Sequence, residues 1–183
     1  MNIKIKKLRN DAVLPVRKTD GAIGFDLTVA KDICIEKTRQ VIPLGFAMEL
    51  PKGIEAKIEP RSGFSSNGIE GFALLKPDAE RKSCVFPPTE PNNDGPIFSR
   101  IYVAERFNAD VLVGKIDPDY RGECGVIILN HEPFRQFLIK AGTRIAQMSF
   151  YHVAEVEGFE VTEELTETKR GTGGRGGEGG LKT

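Results

Sequence analysis

IEAKIE, residues 54–59, alternates without a break: Ile54, Ala56 and Ile58 fall on one side, Glu55, Lys57 and Glu59 on the other. A period of two is that of a strand with one face buried and one face wet, because successive side chains of an extended chain point to opposite sides. Pro60 follows, lacks a backbone N–H and ends the strand. Outward from this segment, short runs of the same character occur at IKIKKL (3–8), ICIEKT (33–38), VIPLGFAMEL (41–50), VIILN (126–130), FLI (137–139) and IAQMSFYHV (145–153). Eleven prolines and twenty glycines interrupt the chain too often for long helices. The pattern predicts an all-β domain, as a sandwich, barrel or jelly roll, with no internal repeat.

At 183 residues and 39% hydrophobic content the chain suits one domain with one core. Lys and Arg together number 26 and so do Asp and Glu, so the chain has no overall attraction for a polyanion or an anionic membrane, and any anion site must be local. The basic opening MNIKIKKLRN is followed by no apolar run of signal-peptide length, and no stretch reaches the roughly 20 residues of a membrane span. A soluble, cytoplasmic protein is expected. Cys34, Cys84 and Cys124 are odd in number and scattered, which argues against a disulfide framework or a thiolate zinc site. His131 and His152 lack metal-ligand spacing.

Two regions depart from the strand pattern. Residues 72–109 carry Pro87, Pro88, Pro91 and Pro96 among polar residues, the composition of an inserted surface segment. Within it, 97–107 reads equally as a short strand or as a helix capped by Ser99. The other region is RGTGGRGGEGG (170–180), mostly glycine, which cannot pack into a core. The expected organisation is a β domain over 1–169 and a flexible glycine-rich arm over 170–183.

Four internal segments carry chemistry. GAIGFDL (21–27) delivers Asp26 at the start of a strand, though an Asp beside Gly is also an ordinary turn residue. In PRSGFSSNG (60–68), Arg61 offers a planar fork suited to phosphate, and Ser62 is placed to cap a short helix running to Gly68; a plain capped turn explains the spacing as well. VGKIDPDYRGECG (113–125) ends a strand in a rigid turn, where Asp117 and Asp119 flank Pro118 beside Tyr120 and Arg121. AGTRIAQMSF (141–150) sets Arg144 and Gln147 in an apolar strand, where buried polar groups need partners.

Taken in order, GAIGFDL, PRSGFSSNG, GKIDPDYRGE, GTRIAQM and RGTGG resemble the five motifs of the trimeric dUTP diphosphatases. The resemblance implies a jelly-roll-like β-barrel and a homotrimer whose active sites are shared between subunits. It implies hydrolysis of dUTP to dUMP and pyrophosphate, with Asp117 activating the attacking water and Gln147 helping to hold it. Arg61, Ser62 and Gly63 would contact phosphates, and Arg144 would either do the same or brace acidic neighbours. Mg²⁺ is the implied cofactor, carried by the phosphates and met by Asp26 through water. The hairpin, through Lys115, Ile116 and Tyr120, would read uracil and deoxyribose, with the Lys115 side chain pointing outward. The arm would cross to another subunit, bringing Arg170, Gly174, Arg175 and Gly176 to the substrate.

Three features depart from the family pattern. Arg175 stands where the arm usually has an aromatic, Gly177 and Glu178 replace Ser and Thr, and the 72–109 segment separates motifs that are normally close. That segment is either an inert surface loop or an element near the active-site mouth that regulates or that docks an unknown protein partner. Three other readings compete: a dCTP deaminase, which shares PRS and a hairpin Asp; an RNA-binding arginine-glycine tail, weakened by only two arginines and no aromatic; and a trimer that binds dUTP but turns it over poorly. No nucleic-acid or membrane partner is expected.

Overall fold

The computed structural model describes residues 1–74, 102–132 and 134–171. The chain forms β1 (Lys4–Lys7), β2 (Phe25–Thr28), β3 (Ile33–Ile35), β4 (Arg39–Pro43), β5 (Phe46–Glu49) and β6 (Ile54–Glu59), then helix α1 (Ser62–Asn67). There follow β7 (Ile69–Leu74), β8 (Tyr102–Phe107), β9 (Ala109–Leu112), β10 (Gly114–Ile116), β11 (Gly125–Asn130), β12 (Phe137–Ile139) and β13 (Arg144–His152). All pairings between these strands are antiparallel, in four sheets ordered β1-β5, β10-β6-β13-β2, β4-β11-β9 and β3-β12-β7-β8. This is the expected all-β, jelly-roll-like barrel.

β6 shows why the alternation decides the fold. Ile54, Ala56 and Ile58 are buried while Glu55, Lys57 and Glu59 are half-buried on the other face. Ala56 and Ile58 join Leu27, Ile116, Ala146 and Met148 from the neighbouring strands in one core with Ile35, Ile42, Phe46 and Ile139. Burying a Leu, Ile or Phe side chain contributes about 1.5–3 kcal/mol, so this shared interior is what holds the short strands together. Phe107 and Phe137 stack within it with ring centroids 4.2 Å apart.

Three expectations are corrected. The run 41–50 is two strands, because Leu44 and Gly45 turn the chain between β4 and β5, Gly45 at φ +79°. The surface excursion expected over 72–109 is narrower: β7 and β8 pair from Ile69↔Phe107 to Leu74↔Tyr102, so its flanks are sheet and 102–107 is a strand. Its middle, 75–101, lies outside the described residues. Cys34, on β3, is disulfide-bonded, against the reading of the cysteine count; Cys124 is free.

The chain divides into a unit over Met1–Val153 and a second over Ala154–Thr183. The described part of the second unit, 154–171, has no strand or helix, and Phe159, Val161 and Leu165 are each more than four-fifths exposed. Among the described residues no helix is long and apolar enough to cross a membrane.

Candidate active site

Antiparallel pairing sets Gln147 of β13 beside Asp26 of β2 on one side and Glu59 of β6 on the other. Directly paired residues share a face, so the three polar groups form one row on the wet side of the sheet. At the end of this row lies a cleft of about 770 Å³, lined by the row together with Gly24, Arg61, Ser62, Gly63, Arg106, Arg144 and others.

Asp26 is the electrostatic centre of the cleft. One carboxylate oxygen lies 3.0 Å from Arg61 Nε and the other 2.9 Å from Arg144 Nη1. Arg61 also donates through Nη1 to the Arg144 carbonyl at 3.1 Å, which ties the end of β6 to the start of β13. The Asp26 side chain is only 17% exposed, so these charge-assisted bonds are worth more than surface pairs. Arg144 thus takes up the bracing geometry. A bulge between Arg144 and Ala146 shifts the register against β2 and accompanies this placement. Gly24 has a packing reason: a Cβ there would stand 2.9 Å from Gln147 Oε1, so a larger residue would push the amide away.

Ser62 does not cap the helix. Arg61 occupies the N-cap position in extended conformation with no side-chain capping bond, and Ser62 is the first helical residue, exposed beside Gly63. The backbone supplies what a cap would have secured, since the Arg61 carbonyl accepts from the N–H groups of Phe64 and Ser65.

The hairpin is elsewhere. No residue of 113–125 lines the cleft. β10 runs antiparallel to β6 with Gly114↔Ile58 and Ile116↔Ala56, so its turn leaves the sheet at the Ile54 end of β6, while the cleft sits at the Glu59 end. At about 3.3 Å per residue, the six positions from Glu55 to Arg61 put Asp117 roughly 20 Å from the phosphate-type residues. Asp117 is exposed in this turn, which the Tyr120 N–H closes by donating to the Asp117 carbonyl at 3.1 Å. The Tyr120 ring lies over Gly122, where a Cβ would come within 2.3 Å of its hydroxyl oxygen. Ile116 is buried. Lys115 points out of the core, as expected, and pairs with Glu55 at 3.0 Å. Lys115 and then Lys57, both bonded to the Glu55 carboxylate, hold it below its ordinary range, and Glu55 in return raises Lys57.

Of the sequence-predicted residues, Asp26, Arg61, Ser62, Gly63, Arg144 and Gln147 come together. Lys115, Ile116, Asp117 and Tyr120 form a second group. Arg170 is exposed in the second unit, and Gly174, Arg175 and Gly176 lie outside the described residues. The sequence reading missed Lys18, Glu59, Glu70 and Arg106 in the cleft. Glu59 was legible as the last polar position of an alternating strand immediately before Pro60. Glu70 and Arg106, paired at 2.6 Å, were not: Arg106 lies in the segment read as an excursion and Glu70 just before it, and the pairing of β7 with β8 is what sets them side by side.

A family model described as dUTPase matches residues 10–78 and 84–179. A deoxyuridine 5'-triphosphate nucleotidohydrolase of Hydrogenobaculum sp. (strain Y04AAS1) is 34% identical over 181 residues, 98% of this chain and 99% of that protein. One of Oryza sativa subsp. japonica is 32% identical, over 97% of this chain and 80% of that protein. Among solved structures, the dUTPase of Staphylococcus bacteriophage 80alpha with dUPNHPP superposes with TM-score 0.69 at 20% identity, over 97% of this chain and 98% of that one. A mutant dUTPase of phage phi11 of S. aureus, described with a structural Mg(II) ion, gives TM-score 0.62 at 18% identity, over 89% and 98%.

Proposed function

The chain belongs to the dUTPase family, and on that premise we propose that it is a dUTP diphosphatase, hydrolysing dUTP to dUMP and pyrophosphate. The observation that carries the reading is the convergence of Asp26, Arg61, Arg144 and Gln147, distant in sequence, on one cleft. Consuming dUTP keeps uracil out of DNA, and the dUMP formed feeds dTMP synthesis.

Water attacks the α-phosphorus, its proton passes to the Asp117 carboxylate, and pyrophosphate leaves. Gln147 holds the water, and Arg61, Ser62 and Gly63 bind phosphate oxygens. Phosphoryl chemistry of this kind depends mostly on positioning and on charge placed where charge develops. Tyr120 lies beneath the deoxyribose and leaves no room for a 2′-hydroxyl, while the backbone at Lys115 and Ile116 reads the base.

Because Asp117 and the cleft lie at opposite ends of the sheet, the working site takes its hairpin from a neighbouring copy, in a homotrimer with three shared sites. The arm, with Arg170 and Arg175, closes over the phosphates. The lining of the cleft supports this reading, since Lys18, Arg61, Arg106 and Arg144 stand there with Asp26, Glu59 and Glu70. So nearly balanced a lining cannot by itself neutralise a triphosphate.

Among the described residues no three Asp, Glu, His or Cys side chains converge to hold a metal. Asp26, already accepting from two guanidiniums, fits a hard ion through an intervening water rather than directly. Mg²⁺ carried by the phosphates would offset their charge, with Asp26 meeting it in that way.

Pyrophosphate release measured over dUTP, dCTP, dTTP and UTP, with and without Mg²⁺, tests the proposal. dUTP is expected to exceed the others by at least about a hundredfold in kcat/KM. Comparable rates on all four, or ammonia release from dCTP, would overturn it.

A further inference from the structure

The hairpin of 113–125 has two unequal halves. From Asp117 to Gly122, every hydrogen bond among the described residues closes within the hairpin: Tyr120 N–H to the Asp117 carbonyl, Arg121 Nη1 to the carbonyls of Pro118 at 2.6 Å and Tyr120 at 2.9 Å, and the Tyr120 hydroxyl to the Glu123 carbonyl at 3.1 Å. The attachment to the barrel comes just after. Cys124 N–H donates to the Phe46 carbonyl at 2.8 Å, and the Cys124 carbonyl accepts from Leu44 N–H at 2.9 Å. Glu123 Oε1 accepts from Gly45 N–H at 2.7 Å and from Arg9 Nη1 at 2.9 Å.

This makes Glu123 a junction. Its backbone carbonyl holds the hydroxyl of Tyr120, and its side chain is gripped by the β4–β5 turn and by the segment following β1. Arg9 is itself placed by backbone bonds from Leu8 and Arg9 to the Gly45 carbonyl and by Asp11 at 3.3 Å. Gly45 suits the arrangement through its φ of +79°, and a Cβ there would stand 2.9 Å from that of Ala12 and 3.0 Å from Arg9 Nη2. Two charge-assisted bonds on one half-exposed carboxylate are a strong local clamp at a point one residue from Gly122, on which the Tyr120 ring rests.

We propose that Glu123, clamped by Arg9 and the Gly45 N–H, is a positioning residue that fixes the height of the Tyr120 ring and thereby sets the enzyme's preference for 2′-deoxyribonucleotides over ribonucleotides. The inference rests on the reading of Tyr120 as the platform for the sugar. Glu123 touches no substrate. It acts through the tyrosine, so its loss alters which sugar is accepted rather than the chemistry at phosphorus.

The test compares kcat and KM for dUTP and UTP in the wild-type full-length protein and in the variants Glu123→Ala, Glu123→Gln, Arg9→Ala and Tyr120→Ala, with thermal unfolding followed in parallel. Glu123→Ala is expected to lower the dUTP:UTP ratio of kcat/KM about tenfold, the worth of one charge-assisted bond, through KM and with kcat nearly kept. Glu123→Gln, which retains an acceptor for Gly45 N–H, and Arg9→Ala should each lower it less. The double variant Arg9→Ala with Glu123→Ala should be no worse than Glu123→Ala alone, because both remove one interaction. If Tyr120→Ala lowers the ratio and neither Glu123→Gln nor Arg9→Ala does, the clamp is not the determinant and the inference fails. If Tyr120→Ala also leaves the ratio unchanged, the platform reading fails, and the inference with it. Should Glu123→Ala not fold, Glu123→Gln and Arg9→Ala still decide.

Discussion

The cleft and the hairpin solve the same problem, holding polar groups in fixed positions, by different means. In the cleft the polar groups are strand residues: Asp26, Gln147 and Glu59 sit in register across β2, β13 and β6, and one carboxylate locks two arginines. In the hairpin the chemistry stands on a turn, exposed, and its position depends on a few bonds just beyond it. The cleft is therefore rigid but incomplete, and the hairpin is complete in its residues but has nothing of the cleft within reach. The difference suggests a division of labour between copies, one supplying the phosphate end and the other the base end.

The most severe test of that division is complementation. Asp117→Asn should lose about a thousandfold or more in kcat while still binding dUTP, because on the proposed mechanism it removes the carboxylate that would take the proton. Arg61→Ala should be nearly inactive through its phosphate end. If sites are shared, unfolding the two inactive variants together and refolding the mixture should restore about a quarter of wild-type activity, since a random assortment of halves gives that share of intact sites. A mixture that stays inactive while each variant refolds to the native oligomer would place both ends of the site in one subunit.

A smaller but still large loss is expected from deleting 170–183. On the proposed function the two arm arginines would add the positive charge that the nearly balanced lining lacks, so KM for dUTP should rise by about two orders of magnitude with the folded unit over 1–153 unchanged in circular dichroism. Retained activity would show that the cleft suffices without the arm.

Much of this was written in local pattern. The alternation of 54–59 gave the strand that positions Glu59 and Arg61, and DPDY gave a turn with its carboxylates. What local pattern cannot carry is pairing over distance. Glu70 and Arg106 reach the cleft only because β7 pairs with β8 across a long intervening segment, and neither IEGFAL nor YVAERF alternates cleanly enough to announce a strand. Ser62 misled for a related reason. A serine at the start of a short helix suggests a cap, but the extended residue at the N-cap is Arg61, whose side chain is paired with Asp26, and Ser62 is already helical.

Within the cleft, effects should scale with how firmly each group is held. Arg144→Ala removes one of two partners of a largely buried carboxylate, and about 1–2 kcal/mol of stability should go with it, read by chemical denaturation; KM should rise about tenfold. An Arg144→Ala protein of wild-type stability would mean that Arg61 alone satisfies Asp26. Gly24→Ala should cost under about 1 kcal/mol, because the clash falls on the mobile end of Gln147, yet lower kcat several-fold by displacing the amide.

The subtlest test asks whether the hairpin is fixed to its own barrel before any partner arrives. Cys124 sits at the point of attachment, buried, and burial followed by the Glu123 charge pushes its thiol up to about 11 from an ordinary 9.0. At pH 8 a thiol that titrates near 11 rather than 9.0 carries about a hundredfold less thiolate than a free cysteine. Iodoacetamide should therefore label Cys124 at least that much more slowly in the native protein than in denaturant, as read by mass spectrometry of the 113–125 region. The sign of the linkage follows from the raised value. The buried thiol's contribution to stability is whole below about pH 9 and is lost as pH rises through about 11, so the alkaline fall should flatten in Cys124→Ala. Rapid labelling at pH 8 would mean that the attachment opens readily, and that the hairpin gains its shape only on the neighbouring subunit.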